Sequence, residues 1–246
     1  MKISIITCTK NSSLYLEKCI ASICSQNYND FELIFVDGNS TDATLEIIEK
    51  VDRPKQIAYG VTGGIASAMN RGVELARGDI IAHLHSDDYY VHDNVFADVA
   101  GIFLRSEAQW LFGRCLSDID GALVPEQYRV PRYSYKRLLK GNFIPHPATF
   151  IRRELFRRAG MFDTNIKYGM DYDLWLRFGR IAAPVQLDEH LAVFRRHEGS
   201  LSTANKTAAF EEDYVIRRKY IKKTFTSFLY HYAHYIVRKR RLLKSL

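Results

Sequence analysis

No run of this chain is apolar for long enough to cross a bilayer or to form the core of a signal peptide. Its start, MKISIITCTK, has one lysine followed by a short strand-like stretch. Export is therefore not expected, and the N-x-S/T triplets opened by Asn11, Asn39 and Asn205 are read as chance matches. Cysteine is scarce and unpatterned. Cys8, Cys19, Cys24 and Cys115 contain no C-x-x-C pair and no histidine pattern that would complete a metal site, so they read as free thiols of a reducing compartment. No G-x-G-x-x-G follows the first apolar run, which argues against a dinucleotide oxidoreductase. TCTKNSS also lacks the basic, glycine-rich loop that a nucleotidyltransferase would need there. Tandem repeats and low-complexity linkers are absent. Acidic residues disappear from the C-terminus: Tyr214 to Leu246 holds ten Lys or Arg and no Asp or Glu, so a chain total of +7 leaves −3 on the residues before it. A mildly acidic body carries a strongly basic tail, and the tail suits an anionic partner.

What is present suffices for a large core: 246 residues, 47% of them apolar, enough for one large α/β domain or two small ones. KISIITC is a β-rich apolar run. In NSSLYLEKCIASICSQ the apolar residues Leu14, Leu16, Cys19, Ile20 and Ile23 fall at helical spacing behind an Asn or Ser cap. The alternation repeats through FELIFVD, STDATLEIIEKV (opened by Ser40 or Thr41), QIAYG, GGIASAMNRGVELA and DIIAHLH. It predicts a mostly parallel, Rossmann-like central sheet flanked by helices. Beyond Val91 the rhythm loosens: helix in NVFADVAGIFLRS, strand in AQWLFGRCLS, a strand broken by Pro125, a short helix ended by Gly141, and a helix opening on two acids in MDYDLWLRFGRI. AVFRRH reads as a closing strand, and from Asn205 onward the chain reads as one or two helices with no evident partner.

Ligands of such sheets bind outside the carboxyl ends of the strands. Thr9, Asp37 to Asp42, Gly60 to Gly64, and Asp87 with Asp88 all fall there. Adjacent acids at a strand end repel each other unless a cation lies between them and a ligand, and a hard divalent ion fills that need while keeping positions open for a diphosphate. Read alone, the pair is equally a helix cap and a solvated acid.

The order of several segments adds to this. SIITCTKN, FELIFVDGNSTDAT, GGIASAMNRGVELARGDIIAHLHSDD, HPATFIRRELFRRAGMFD, MDYDLWLR and FRRHEGSLS follow one another as in family 2 glycosyltransferases with the GT-A fold, and the chain resembles that family over about residues 1 to 203. The resemblance implies an inverting, metal-dependent transfer of a sugar from a nucleotide-diphosphate donor, commonly UDP-linked, to a hydroxyl of a saccharide or lipid-linked acceptor, in polysaccharide and cell-envelope assembly. By position it implies that Thr9 and Asn11 edge the nucleotide pocket, Asp37 contacts the nucleoside, and Asn70 lies on the donor helix. Asp87 would stand near the ribose, Asp88 on Mn²⁺ or Mg²⁺ with help from His197, and His146 near the acceptor. Asp171, in GMDYDLWLR, takes the position of the catalytic base. Asp173, two residues on, would be structural.

The chain departs from the family pattern in four places. His85 stands where the first acid of the DxD-type element is usual, and Met170 where Glu is frequent. Lys10 replaces an aromatic that would stack on the base, and Met69 replaces an Arg before Asn70. His197 is also readable as a surface residue near a strand end, and Asp171 as an acid favoured by a helix N-terminus.

The tail interleaves Tyr220, Phe225, Phe228, Leu229, Tyr230, Tyr232, Tyr235 and Ile236 with its cations. Such a segment lies on an anionic lipid surface or packs its aromatic face on the body; nucleic acid is not expected, since no reader motif accompanies the charge. The expected organisation is a glycosyltransferase domain over 1–204, with a nucleotide-binding half (1–92) and an acceptor half (93–204), and a basic amphipathic helical tail over 205–246. The expected location is cytoplasmic, with the tail on the inner face of the cell membrane. The competing readings are a nucleotidyltransferase and a non-catalytic sugar-nucleotide or membrane-binding module of the same fold.

Overall fold

The computed structural model describes residues 1–125, 130–197 and 205–244. Strand β1 (Ile3–Thr9) is buried at every position. It pairs in parallel with β2 (Phe31–Asp37) on one side and β4 (Ile80–His83) on the other, and β3 (Lys55–Ala58) lies parallel to β2 beyond. The helices α1 (Ser13–Cys24), α2 (Thr44–Glu49) and α3 (Gly64–Leu75) carry the crossovers. Past β4 the sheet continues through β8 (Thr149–Arg152), β6 (Trp110–Ile119), β9 (Val185–Arg196) and the two-residue β5 (Tyr89–Tyr90), while β7 (Ala122–Pro125) forms a hairpin on β6. Here β6 and β9 are parallel, and the pairs β4–β8, β6–β8, β5–β9 and β6–β7 are antiparallel. The parallel character is thus concentrated in the first half of this mixed α/β sheet.

Side chains alternate between two cores with the period of the pleat. Ile3 and Ile5 of β1, Leu33 and Phe35 of β2, and Ile80 and Ala82 of β4 enter one core, with α1 and with α4 (Val95–Arg105). Ile6 and Cys8, Ile34 and Val36, and Ile81 enter the other, with α3, α6 (Arg153–Ala159) and α7 (Met170–Ile181). Each large apolar side chain withdrawn from water in this way contributes about 1.5–3 kcal/mol. At Gly72 a Cβ would lie 2.3 Å from Ile6 Cγ2, so glycine lets α3 rest directly on β1 and brings its N-terminus to the rim where the strands end.

Several local expectations change. Helix α2 begins at Thr44 with no side-chain cap, because Ser40 spends its hydroxyl on Asp37 rather than on the helix. Strand β9 extends well N-terminal to AVFRRH. EQYR after Pro125, and EGSLS after His197, lie outside the described residues. Among the described residues the cysteines form no disulfide. The C-terminal segment forms two helices, α8 (Lys206–Arg218) and α9 (Phe225–Leu243), and α8 does have a partner: it packs on α7. Arg217 and Arg238 both donate to the Lys140 carbonyl, Lys239 pairs with Glu211 and Lys219 with Asp163, so four of the tail's cations are engaged within the protein. The expected boundary at 204 therefore separates segments that share hydrogen bonds.

Candidate active site

The parallel strands end at one level, Thr9 opposite Asp37 and His83 opposite Ile6, and a cleft of about 1000 Å³ opens beyond them. Its wall includes Thr9, Lys10, Gly38 and Asn39, then Val61 to Ile65 before and at the start of α3, and His85 to Asp87 after β4. The second half of the chain supplies Asn142, His146, Tyr168, Asp171, Phe194 and Arg196. A cleft this large accommodates a nucleotide sugar.

At the first rim, Thr9 donates its hydroxyl to Asp37 Oδ1 at 2.9 Å. Ser40 donates its hydroxyl to the same oxygen at 2.5 Å and its N–H to Oδ2 at 2.8 Å. Asp37, 1% exposed, is therefore committed to holding the strand-end turn and does not line the cleft. Its neighbours Gly38 and Asn39, the latter at φ +63°, line the cleft instead. Asn11, at φ +50°, is likewise occupied: its N–H donates to Ser40 Oγ and its Oδ1 accepts the Thr41 N–H. Asn70 does not reach the cleft either. Its amide donates to the Phe162 carbonyl and accepts the Phe162 N–H, both at 2.9 Å, pinning α3 to the turn after α6. Asp37 is taken up by its own strand-end turn, Asn11 by the Ser40–Thr41 turn and Asn70 by Phe162, so each of the three satisfies a group of the protein.

The paired acids also separate. Asp87 lines the cleft, with Oδ2 2.9 Å from His197 Nε2, and the His197 ring lies 5.0 Å from that of Tyr15. Asp88 turns inward and is fully buried. Its Oδ1 accepts the Arg195 N–H at 3.1 Å and its Oδ2 has no partner among the described residues. Burial, and then the neighbouring Asp87 charge, push the Asp88 carboxyl well above the usual range. Asp87 lies in the turn after β4, which the Asp88 N–H closes by donating to the His85 carbonyl at 3.0 Å, and that turn sends the two acids to different sides. Asp88 thus stands behind the cleft wall, while the Asp87 carboxylate on that wall meets the His197 imidazole.

Asp171 enters from the first turn of α7. Asn142 Nδ2 donates to its Oδ2 at 3.0 Å and the Tyr172 N–H to its Oδ1 at 2.7 Å. Burial raises its carboxyl to about 6 despite those donors. Asp173 faces away, accepting Arg177 Nε at 2.9 Å and the Tyr220 hydroxyl at 2.7 Å, a structural role. His146 lines the cleft within a histidine cluster, its ring 5.1 Å from His85 and 5.6 Å from His83. Desolvation holds His146 and His83 neutral by pushing both well below the ordinary imidazole range, His83 to about 3. Asn142, Tyr168 and Arg196 were not singled out by the sequence. Asn142, beside the IPHP loop, carried the one available hint, an amide next to a turn already suspected of facing ligand.

The model of glycosyl transferase family 2 matches residues 4–160 of this chain. A PGL/p-HBAD biosynthesis glycosyltransferase from Mycobacterium bovis is 32% identical over 205 residues, 81% of this chain and 78% of that protein. The chondroitin synthase of Pasteurella multocida is 30% identical over 184 residues, 73% of this chain but only 19% of the synthase. Among solved structures, TarS of S. aureus in complex with UDP-GlcNAc superposes with a TM-score of 0.71 at 22% identity, covering 88% of this chain and 65% of that one. The mannosyltransferase PcManGT of Pyrobaculum calidifontis, in complex with GDP-Man and Mn²⁺, gives 0.68 at 17%, covering 95% and 69%. At such identities these structures speak for the fold.

Proposed function

The chain belongs to glycosyl transferase family 2 and is a glycosyltransferase; on that premise we propose that it transfers a sugar, with inversion, from a nucleotide-diphosphate donor to a hydroxyl of a saccharide or lipid-linked saccharide acceptor. The observation that carries this reading is that Asp171, a buried carboxylate raised to about 6, opens onto the same cleft as Asp87, which His197 contacts at 2.9 Å. The acceptor oxygen attacks the anomeric carbon, and its proton passes to Asp171 as the new C–O bond forms. The bond from that carbon to the diphosphate oxygen breaks, and the nucleoside diphosphate leaves with the electron pair. Displacement from the opposite face inverts the anomeric centre, and a positioned base contributes about 10²–10⁴-fold to such a step.

The donor set suits Mn²⁺ or Mg²⁺: one carboxylate oxygen and one imidazole nitrogen, too few to saturate either ion. Among the described residues no third His, Cys, Asp or Glu completes a protein-only cage, so positions remain for diphosphate oxygens and water. An ion held by Asp87 and His197 would supply positive charge to the leaving group. Lys10 and Arg196 stand on the same wall, and Arg196 is steadied by Ser117 Oγ at 3.0 Å. A UDP-sugar is our first choice of donor, since TarS was solved with one, and a GDP-sugar is the alternative that PcManGT represents. Thermal stabilisation by UDP-GlcNAc against GDP-mannose, with and without Mn²⁺, tests the reading; stabilisation by neither would remove it.

The base assignment has a pH signature. A base works deprotonated, so kcat/KM should fall about tenfold per pH unit below about 6 and level off above, and the limb should be absent from Asp171→Asn. A flat profile from pH 5 to 8 would contradict it.

We place the enzyme at an anionic membrane surface, in polysaccharide or glycolipid assembly. Among the described residues no helix is long and apolar enough to cross a membrane. The corner joining α8 to α9 gathers Arg218, Lys222 and Lys223 around Phe225, which is 79% exposed, and Phe228. This corner keeps cations that the body does not use. Each basic residue near anionic headgroups contributes about 1 kcal/mol, so Lys222→Ala/Lys223→Ala should weaken binding to phosphatidylglycerol vesicles by roughly 30-fold. Equal sedimentation with neutral and anionic vesicles would refute the surface.

A further inference from the structure

We propose that Glu212, on the C-terminal helix α8, is a positioning residue for Asp171, a reading that rests on the base role given above. Helix α7 begins without a side-chain cap, because its N-cap residue is Gly169. A helix start leaves backbone N–H groups without partners in the chain before and within its first turn. Glu212 supplies a carboxylate from 43 residues away: Oε1 accepts the Lys167 N–H at 2.9 Å, and Oε2 accepts those of Tyr168 at 2.6 Å and Gly169 at 2.8 Å. Three bonds to one charged group are strong and directional, and negative charge is favoured at that helix end.

The turn so clamped bears directly on the chemistry. Tyr168 and Asp171, on either side of Gly169, both line the cleft. Helix α8 rests on the turn itself, since a Cβ on Gly169 would lie 2.7 Å from Ile216 Cδ1 and 2.9 Å from Asp213 Oδ1. The other partner of Asp171 is held by the same helices. Arg217 of α8 and Arg238 of α9 donate to the Lys140 carbonyl at 2.6 and 2.7 Å, two residues before the Asn142 that donates to Asp171. Both segments that aim the base are therefore anchored from the C-terminal helices, beyond residue 160, where the family match ends. The donor side of the cleft is built from the ends of β1, β2 and β4 and does not depend on this anchorage. A carboxylate misplaced by an ångström loses rate while nucleotide affinity stays.

The test uses the full chain with Glu212→Ala, Glu212→Gln and Glu212→Asp, UDP as binding probe, and UDP-GlcNAc and GDP-mannose as donors. We expect Glu212→Ala to speed amide exchange at residues 167–169 at least about tenfold while β1 to β4 stay protected, because a carboxylate bonded to three amides is lost. Turnover should drop about 30- to 100-fold, UDP affinity should stay within about twofold, and Glu212→Asp should recover part of the rate. If Glu212→Ala does not fold, Glu212→Gln, which keeps one acceptor oxygen, carries the same comparison. Unchanged exchange at 167–169, unchanged turnover in a folded variant, or UDP affinity lost in step with turnover would each overturn the proposal. Faster exchange in the variant, beside a wild-type chain that turns over neither donor, would overturn the base role of Asp171 and the catalytic consequence of the clamp with it.

Discussion

Asparagine at position 171 should lower turnover by about 10³-fold and leave UDP affinity within about twofold, as measured by initial rates and calorimetry on one preparation. Asparagine has the shape of aspartate but a single oxygen, so it keeps one of the two acceptors that Asn142 Nδ2 and the Tyr172 N–H use, and it cannot take the acceptor's proton. Burial raises the Asp171 carboxyl to about 6, above its unfolded value, so the folded state holds the proton more tightly and wild-type stability declines as pH rises through that interval. The variant lacks that decline, so any advantage of the wild type in the midpoint of thermal unfolding should shrink as pH rises through about 6. A glycosyltransferase with this base loses transfer and keeps its donor; a binding module of the same fold would show no transfer to lose. Undiminished transfer by Asp171→Asn would take the residue out of the mechanism.

The second large effect concerns the two adjacent acids, which should part company on substitution. Asp87→Asn and His197→Ala remove the cleft-lining carboxylate and the imidazole that meets it at 2.9 Å. Each should raise the Mn²⁺ concentration for half-maximal activity at least about 30-fold, since an ion with two protein ligands loses half of its protein donor set. Asp88→Asn should leave that concentration unchanged. Asp88 is fully buried, its Oδ1 accepts a backbone N–H that an amide oxygen accepts as well, and its charge is penalised by burial and by Asp87. The three variants compared by thermal shift with Mn²⁺ and UDP decide the matter, because a ligand specific for the native state raises apparent stability. Metal dependence lost with Asp88→Asn and kept with Asp87→Asn would reverse the assignment.

The placement of Asp88 shows where sequence reasoning stops. S-D-D at a strand end announces that acids are there, but which one faces the ligand depends on the turn after His83 and on β9, more than a hundred residues later, whose Arg195 N–H receives Asp88. Asn11 and Asn70 teach the same lesson, absorbed by partners 30 and 92 residues away, whereas Asp37 is taken up by Ser40 only three residues on. Asp171 is the contrasting case. Both of its acids at the α7 N-terminus were visible, and their offset of two residues on a 3.6-residue helix already sent Asp173 elsewhere, to Arg177 and Tyr220.

The chain's local periodicities by themselves determined the alternating strands and helices, the two-sided burial of β1, β2 and β4, and the rim at the strand ends where the cleft opens. These follow from spacing along the backbone, which residue order encodes directly. Tertiary structure alone decided that Asp87 meets His197, that Asn142 aims Asp171, and that the basic C-terminal segment, instead of trailing free, sends Glu212 back to hold the α7 turn. Those contacts join residues 29 to 110 positions apart, and a hydrogen bond is satisfied by whichever donor the packed chain brings within 3 Å or so, a choice that no local pattern records.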